Sequence, residues 1–183
     1  LSGLDQDTLR ALVHYEPTTG VFTWLPRKPI SKSVKMWNGK FANKPITILD
    51  SYGYIQINIT INGVAKHYKG HRLAWLYVYG EHPKSEIDHV NQIRTDNRIS
   101  NLRLASKAEN QYNVTQPRKH NMSGEKGVKW CPRDNNYMAR IVAGGKEIYL
   151  GKFKDIESAK AAYSAAHIRY AKQFSPYLNE AAA

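Results

Sequence analysis

The spacing of apolar and polar positions changes several times along the chain, and the period of each stretch separates strand from helix. Over 5–13 (DQDTLRALV), Leu9, Leu12 and Val13 recur on one side behind an acidic start at Asp5 or Asp7, which predicts a short helix. The following EPTTGVFTW reads as a turn into a strand. Residues 26–45, with prolines and a glycine among scattered lysines, read as a basic loop. From Tyr54 to Ile61 the side chains alternate with period two up to Asn62-Gly63, a dipeptide that favours a tight hairpin turn. The return strand, Val64 to Tyr68, leads into a helix from His71 to Tyr79 closed by Gly80.

Residues 87–105 are different in kind. They hold few strand formers, many Asn, Asp and Arg, and short apolar punctuation at Ile87, Val90, Ile93, Ile99, Leu102 and Leu104. Ser106-Lys107-Ala108-Glu109 fits a capping box, so a helix starts at Ser106, carries Asn110 in its first turns and is limited by Pro117. The polar 115–125 reads as a linker. Beyond it KGVKW and YMARIV read as strands, Gly144-Gly145 as a turn and KEIYLGKF as the returning strand. Asp155 then caps a helix with Ile156, Ala159, Ala162, Tyr163, Ala166 and Tyr170 at helical spacing. Three strands and an alanine-rich helix make a small domain, with Tyr137, Phe153, Tyr163 and Tyr170 as its expected aromatic core.

Charge changes the picture next. The 183 residues hold 27 Lys+Arg against 15 Asp+Glu, a formal +12, spread as +3, +5 and +4 over 1–60, 61–120 and 121–183. A surface basic along its whole length suits a polyanionic partner, because a phosphate backbone releases counterions on binding. No stretch approaches 18 apolar residues, so no membrane span or membrane partner is expected. The single cysteine, Cys131, excludes an internal disulfide framework and any zinc module needing two or four cysteines, so no structural zinc is expected. Leu1 to Asp5 has no export pattern, and the closing Ala181-Ala182-Ala183 carries no message.

The candidate chemistry lies in EIDHVNQIRTDNRISNLRLASKAENQYN. Hydrolysing a phosphodiester takes a base that deprotonates water and a cation that neutralises the leaving oxygen. The imidazole of His89 can do the first, and a carboxylate such as Asp88 with a second oxygen ligand can hold Mg²⁺. Asp-His alone is a common pair. Here the asparagines at 91, 97, 101, 110 and 113 are dense, and Arg94, Arg98 and Arg103 lie between them as a phosphate-binding rim would require. Arg103 in an internal salt bridge and Asn91 and Asn97 as simple loop ties are the competing structural readings. His71 is read as structural, with a phosphate contact as the alternative.

The run DHxNxxxxDNRxxNLRxxxxxxN from Asp88 to Asn110 resembles the HNH nucleases of the ββα-metal type, in particular phage and intron-encoded homing endonucleases. His71-Arg72-Leu73-Ala74-Trp75 is similar to the helix preceding their motif, and LRALVHYEPTTGVFTW to their N-terminal entry. Asn110 stands where many members have histidine. The resemblance implies that Asp88 and Asn110 bind one Mg²⁺ or Mn²⁺, that His89 activates water, and that Asn101 steadies the motif loop or His89. Arg72, Arg94, Arg98 and Arg103 are then candidate DNA contacts. The motif would rest on Leu73, Trp75, Leu76, Ile87, Ile99, Leu102 and Leu104.

From Lys126 to Tyr170 the order Gly127-Val128, Tyr137-x-Ala139-Arg140-Ile141, Tyr149-Leu150-Gly151-x-Phe153 and Ala159-x-x-Ala162-Tyr163 resembles the AP2 domain, whose sheet enters the DNA major groove. That implies Lys129, Trp130, Arg133, Arg140 and Tyr149 facing DNA, with Lys146, Lys152, Lys154 and Lys160 open to reading as an ordinary solvated face.

The expected fold class is α+β: N-terminal strands and helices leading into a ββα-metal (HNH) core, then a three-stranded sheet plus helix of AP2 type. The expected domains are 1–62, a β-rich element contacting DNA; 63–114, the nuclease core; 115–125, a linker; and 126–175, the AP2-like domain. The implied function is a site-selective, metal-dependent DNA endonuclease that nicks double-stranded DNA as a monomer, with a homodimer as the alternative, in the cytoplasm of a bacterial host and encoded by a phage or mobile element. A DNA-binding protein with an inert nuclease motif is the competing reading. An RNA-binding protein has the right charge but no supporting signature.

Overall fold

The computed structural model describes residues 3–178; Leu1, Ser2 and the closing alanines lie outside the described residues. The chain divides into two compact units, Leu1–Ser106 and Lys107–Ala183, each mixing helices with small sheets.

In the first unit, Asp5 caps α1 (Gln6–Leu12) by accepting the Thr8 amide at 2.8 Å, satisfying one orphan donor of the first turn. Strands β1 (Val13–Glu16) and β2 (Val21–Trp24) pair as an antiparallel hairpin. Gly20 closes its turn with φ +74°, and a Cβ there would lie 2.4 Å from the Arg98 backbone nitrogen. Only glycine lets this tip rest on the loop that follows His89.

The segment read as a basic loop contains a helix, α2 (Lys32–Phe41), capped by Ser31. Its apolar positions are few and none of its residues is buried, so the helical period was hidden among lysines. Contacts hold it instead: the Trp37 ring meets Trp24 at 5.6 Å and Phe41 at 5.5 Å.

Strands β3 (Gln56–Ile61) and β4 (Val64–Lys69) form the expected hairpin, with Asn62 and Gly63 both at positive φ, 51° and 78°. Helix α3 (Gly70–Tyr79) follows and ends at Gly80. Strands β5 (Glu86–His89) and β6 (Leu102–Ala105) then pair antiparallel, setting Asp88 opposite Arg103 and His89 opposite Leu102. One core joins these pieces: Leu9, Val13, Tyr15, Phe22, Ile57, Ile59, Leu73 and Leu76 are buried, with Ile87 and Leu102 beneath the β5–β6 ribbon. Trp75 and Ile99 pack against it. Leu104, expected among these supports, is instead 42% exposed at the far end of the ribbon.

The second unit opens with α4 (Lys107–Asn113), which ends before Pro117. Strands β7 (Val128–Cys131), β8 (Asn136–Ala143) and β9 (Lys146–Phe153) form an antiparallel sheet in that order, and α5 (Ile156–Ala171), capped by Asp155, lies against it. Val128, Ala139 and Ile141 meet Ala159 and Tyr163 in its core, and the small alanines allow close approach. Tyr137 and Phe153 pack at the edge of this core, whereas Tyr170 is 36% exposed and lies outside it.

His167 of α5 is fully buried, its Nδ1 2.9 Å from Ser175 Oγ and its ring edge-on to Tyr112 and Tyr177. Burial, and secondarily the charge of Lys126, lowers its pKa from 6.5 to about 4. The unfolded chain takes up this proton near pH 6.5 and the folded chain only near 4, so stability is lost as pH falls through that window. Urea unfolding of the second unit is expected to lose about 3 kcal/mol between pH 7 and 4 from this group, the scale set by ~1.4 kcal/mol per pK unit. His167→Gln should flatten that part of the pH profile; an unchanged profile would remove His167 as the cause.

Candidate active site

The β5–β6 ribbon takes Asp88 and His89 out of water: they are 4% and 5% exposed. A carboxylate so placed needs a partner. Arg103, directly across the ribbon, supplies it, donating to Asp88 Oδ2 from Nε at 2.8 Å and Nη2 at 2.6 Å. Arg103 thus forms an internal ion pair.

His89 lies beside a second buried imidazole. Its ring is 5.0 Å, edge to face, from His71 and 5.8 Å from Tyr54, with Tyr54 4.9 Å from His71. Burial lowers the pKa of His89, opposed by its hydrogen bond to Asn97 and by Asp88. Burial first, and then nearby positive charge including Lys69 and Arg72, lowers His71 to about 3. Both rings are therefore neutral at pH 7, and a neutral imidazole can accept a proton. His89 Nε2 is 3.3 Å from Asn97 Oδ1.

Between the two strands the chain loops from Val90 to Asn101, and side chains take the place of sheet pairing. Asn101 Oδ1 accepts the Asn91 amide at 3.0 Å, while its Nδ2 donates to Asn91 Oδ1 at 2.9 Å and to the Asp96 carbonyl at 2.8 Å. Asp96 accepts from Arg98 Nε at 2.8 Å and Nη2 at 2.6 Å, and from Asn91 Nδ2 at 2.6 Å. The Arg98 guanidinium is the first cause holding the Asp96 carboxyl down at about 2. Tyr15, from the core, donates to the Asn97 carbonyl at 2.7 Å. Asn97 is 1% exposed, and its Nδ2 and His71 Nδ1 have no hydrogen-bond partner.

The other arginines singled out in sequence are also engaged. Arg72 donates to the carbonyls of Pro83 and Ser85, and Arg94 to the Tyr52 carbonyl at 2.6 Å, its guanidinium 5.2 Å from the Tyr54 ring centre. Asn110 sits on α4, in the second unit. In that unit's sheet the register sets Lys129 opposite Met138 and Arg140 opposite Tyr149, on the face away from Val128, Ala139 and Ile141. Trp130 pairs with Tyr137, its ring 4.7 Å away, on the other face, so it does not share a surface with Lys129. Arg133 lies in the exposed turn Pro132–Asp134. Arg140 forms an ion pair with Glu147 at 3.0 Å.

Sequence reasoning did not single out Tyr54, which stacks beside both histidines, nor the role of Asn97. Tyr54 begins the alternating run and gives no separate signal. Among the described residues no three of His, Cys, Asp and Glu gather as a metal cage. The one buried carboxylate of the ribbon, Asp88, faces the Arg103 guanidinium.

Residues 68–112 match the model of the HNH endonuclease family, a span that takes in α3, the β5–β6 ribbon and Asn110. The match is to this segment and not to the chain as a whole. Over 78 residues the chain is 35% identical to Protein 3.8 of Escherichia phage T7, covering 42% of this chain and 64% of that protein, a little under two thirds of its length. A solved structure titled DNA binding and cleavage by the HNH homing endonuclease I-HmuI aligns with a TM-score of 0.42 and 20% identity, over 62% of this chain and 57% of that one.

Arg103→Ala should leave Asp88 buried opposite an empty position. Breaking a buried pair from one side costs on the order of 3 kcal/mol, and calorimetry should show a matching fall in Tm. A double change of Arg103→Leu with Asp88→Asn is expected to recover most of it. A Tm unchanged in Arg103→Ala would mean the pair adds nothing to stability.

Proposed function

We propose that the protein is a metal-dependent DNA endonuclease. What carries this reading is the neutral imidazole of His89, ordered by Asn97 beside the buried Asp88, within a segment that matches the HNH endonuclease family.

In this reading the His89 imidazole takes a proton from water as the water oxygen attacks phosphorus, and the bond from phosphorus to the leaving oxygen breaks. Asp88, with Asn110 from the helix that follows, would supply the protein oxygens for one Mg²⁺ or Mn²⁺, which would neutralise charge on the leaving oxygen. Asn101 acts at one remove: its three hydrogen bonds hold the loop that carries Asn97. The loop arginines and the exposed sheet face with Lys129, Arg140 and Tyr149 are proposed DNA contacts, the latter in an AP2-like module. Phosphodiester chemistry itself carries no sequence information, so selectivity must come from such added surfaces. One catalytic centre per chain nicks when the chain acts as a monomer. The similarity to a phage protein supports a role in a bacterial host cell. No helix among the described residues is long and apolar enough to cross a membrane.

One observation favours the competing reading of a DNA-binding protein with an inert motif: Asp88 Oδ2 is held twice by Arg103. Supercoiled plasmid separates the two. With Mg²⁺ the wild type should convert it to the nicked form, EDTA should stop the reaction, and His89→Ala should lower the single-turnover rate by something like 10²–10⁴ while DNA binding persists. Asp88→Ala should abolish metal-dependent cleavage and weaken metal binding more than Asn110→Ala, which removes only a dipole. Binding without cleavage by the wild type would establish the inert reading, and full activity in His89→Ala would exclude His89 as the base.

A further inference from the structure

From Pro17 to Leu49 the chain has no acidic residue and six basic ones: Arg27, Lys28, Lys32, Lys35, Lys40 and Lys44. Elsewhere in the first unit cations meet carboxylates, as in Arg98–Asp96, Arg103–Asp88 and Lys69–Asp50. Among the described residues the ion pairs include none of these six.

Two of the six have an evident structural role, and a third, Lys40, has its Nζ 5.1 Å from the Phe41 ring centre. Arg27 lies 3.7 Å over the Trp37 ring, and its backbone exchanges two hydrogen bonds with the Asn38 side chain. Lys44 closes the end of α2 by donating to the Gly39 and Lys40 carbonyls at 3.1 and 3.0 Å. With Trp37 against Trp24, these contacts fix which way the helix faces. At about 100° per residue, Val34, Trp37, Asn38 and Phe41 fall on one side, and these are its half-buried residues. Lys32, Lys35, Met36, Gly39 and Lys40 fall on the other, all exposed, with open space above Gly39.

The lysines oppose the helix's own electrostatics. Lys32 and Lys35 sit in the first turn, where the macrodipole favours anions, and the turn holds no acid. They are also three residues apart, a spacing at which like charges repel. A face needed only for solubility would mix signs. This arrangement lowers the stability of the free helix and is relieved by an external polyanion.

We infer that the Lys32–Lys35–Lys40 face of α2 is a docking surface for the phosphate backbone of duplex DNA. The inference rests on the nuclease reading for its choice of polyanion. The β1–β2 hairpin sets where the contact falls. Its Gly20 turn touches the loop after His89, and at its other end Trp24 bridges Ala42, the residue after α2. Four residues of strand at ~3.4 Å each put the two ends on the order of 14 Å apart. The face therefore lies at the end of the hairpin away from the loop after His89, and would add affinity at phosphates other than the one cleaved.

The test is binding of the full chain to a fluorescent 30-base-pair duplex of mixed sequence, in EDTA so that cleavage does not interfere, across 50–300 mM NaCl. Wild type is compared with the triple variant Lys32→Gln, Lys35→Gln, Lys40→Gln, with the triple Lys→Arg variant at the same positions, and with a charge-matched control, Lys66→Gln, Lys84→Gln, Lys119→Gln. Circular dichroism and Tm confirm folding of each. Each lost phosphate contact reduces the log–log salt slope by ~0.9. The α2 glutamine variant should therefore lose between two and three units of slope and at least tenfold in affinity at low salt. The arginine variant should keep both, and the control should lose under one unit. Slope and affinity unchanged in the α2 variant, or an equal loss in the control, would overturn the inference, as would wild-type preference for single-stranded RNA or anionic vesicles over the duplex. Plasmid nicking by the wild type is scored separately, so failure of the nuclease reading and failure of this surface give different results.

Discussion

A charge removed from water must be answered where it lies, and the first unit is arranged around that requirement at Asp88. The carboxylate is 4% exposed, and the partner comes from the residue directly across a four-residue ribbon. Register therefore matters more here than propensity. A slip of one residue between β5 and β6 would turn Arg103 to the other face and leave Asp88 buried and unanswered, an outcome costing more than two short strands can supply. The ion pair and the ribbon specify each other. Since His89 is the next residue, its position beneath Tyr54 and beside His71 is set by the same register.

The loop that closes the ribbon has the opposite problem. Twelve residues with little apolar content have only one short 3-10 turn, Ile99–Asn101, so the side chains of Asn91, Asp96 and Asn101 bond much of their backbone. Tyr15 and Pro17 tie the loop to the β1–β2 hairpin, through the Asn97 carbonyl and the Ile99 amide. The asparagines of this loop are thus largely a scaffold, and Asn97 joins it to His89.

Electrostatics divides the molecule by depth. In the interior, histidines are held neutral by burial, and the one buried carboxylate of the ribbon is paired. At the surface of α2 the charges are left unbalanced. The first condition leaves the buried imidazoles without charge at neutral pH; the second leaves a positive field that extends over a Debye length.

Period and punctuation in the sequence determined most elements: the Asn62-Gly63 hairpin, α3 ending at Gly80, and the three strands and capped helix of the second unit. These are local signals, carried by turn chemistry and by spacings of two or about 3.6 residues. The helix within 26–45 escaped because its anchors, Trp37 and Phe41, matter only through Trp24, a residue of another element. Likewise only the tertiary structure decided that Arg103 neutralises Asp88, that Asn97 meets His89, and that Trp130 and Lys129 lie on opposite faces of their sheet. Each depends on strand register or on residues brought together from separate elements, and a pattern read along one chain does not contain the pairing that brings them there.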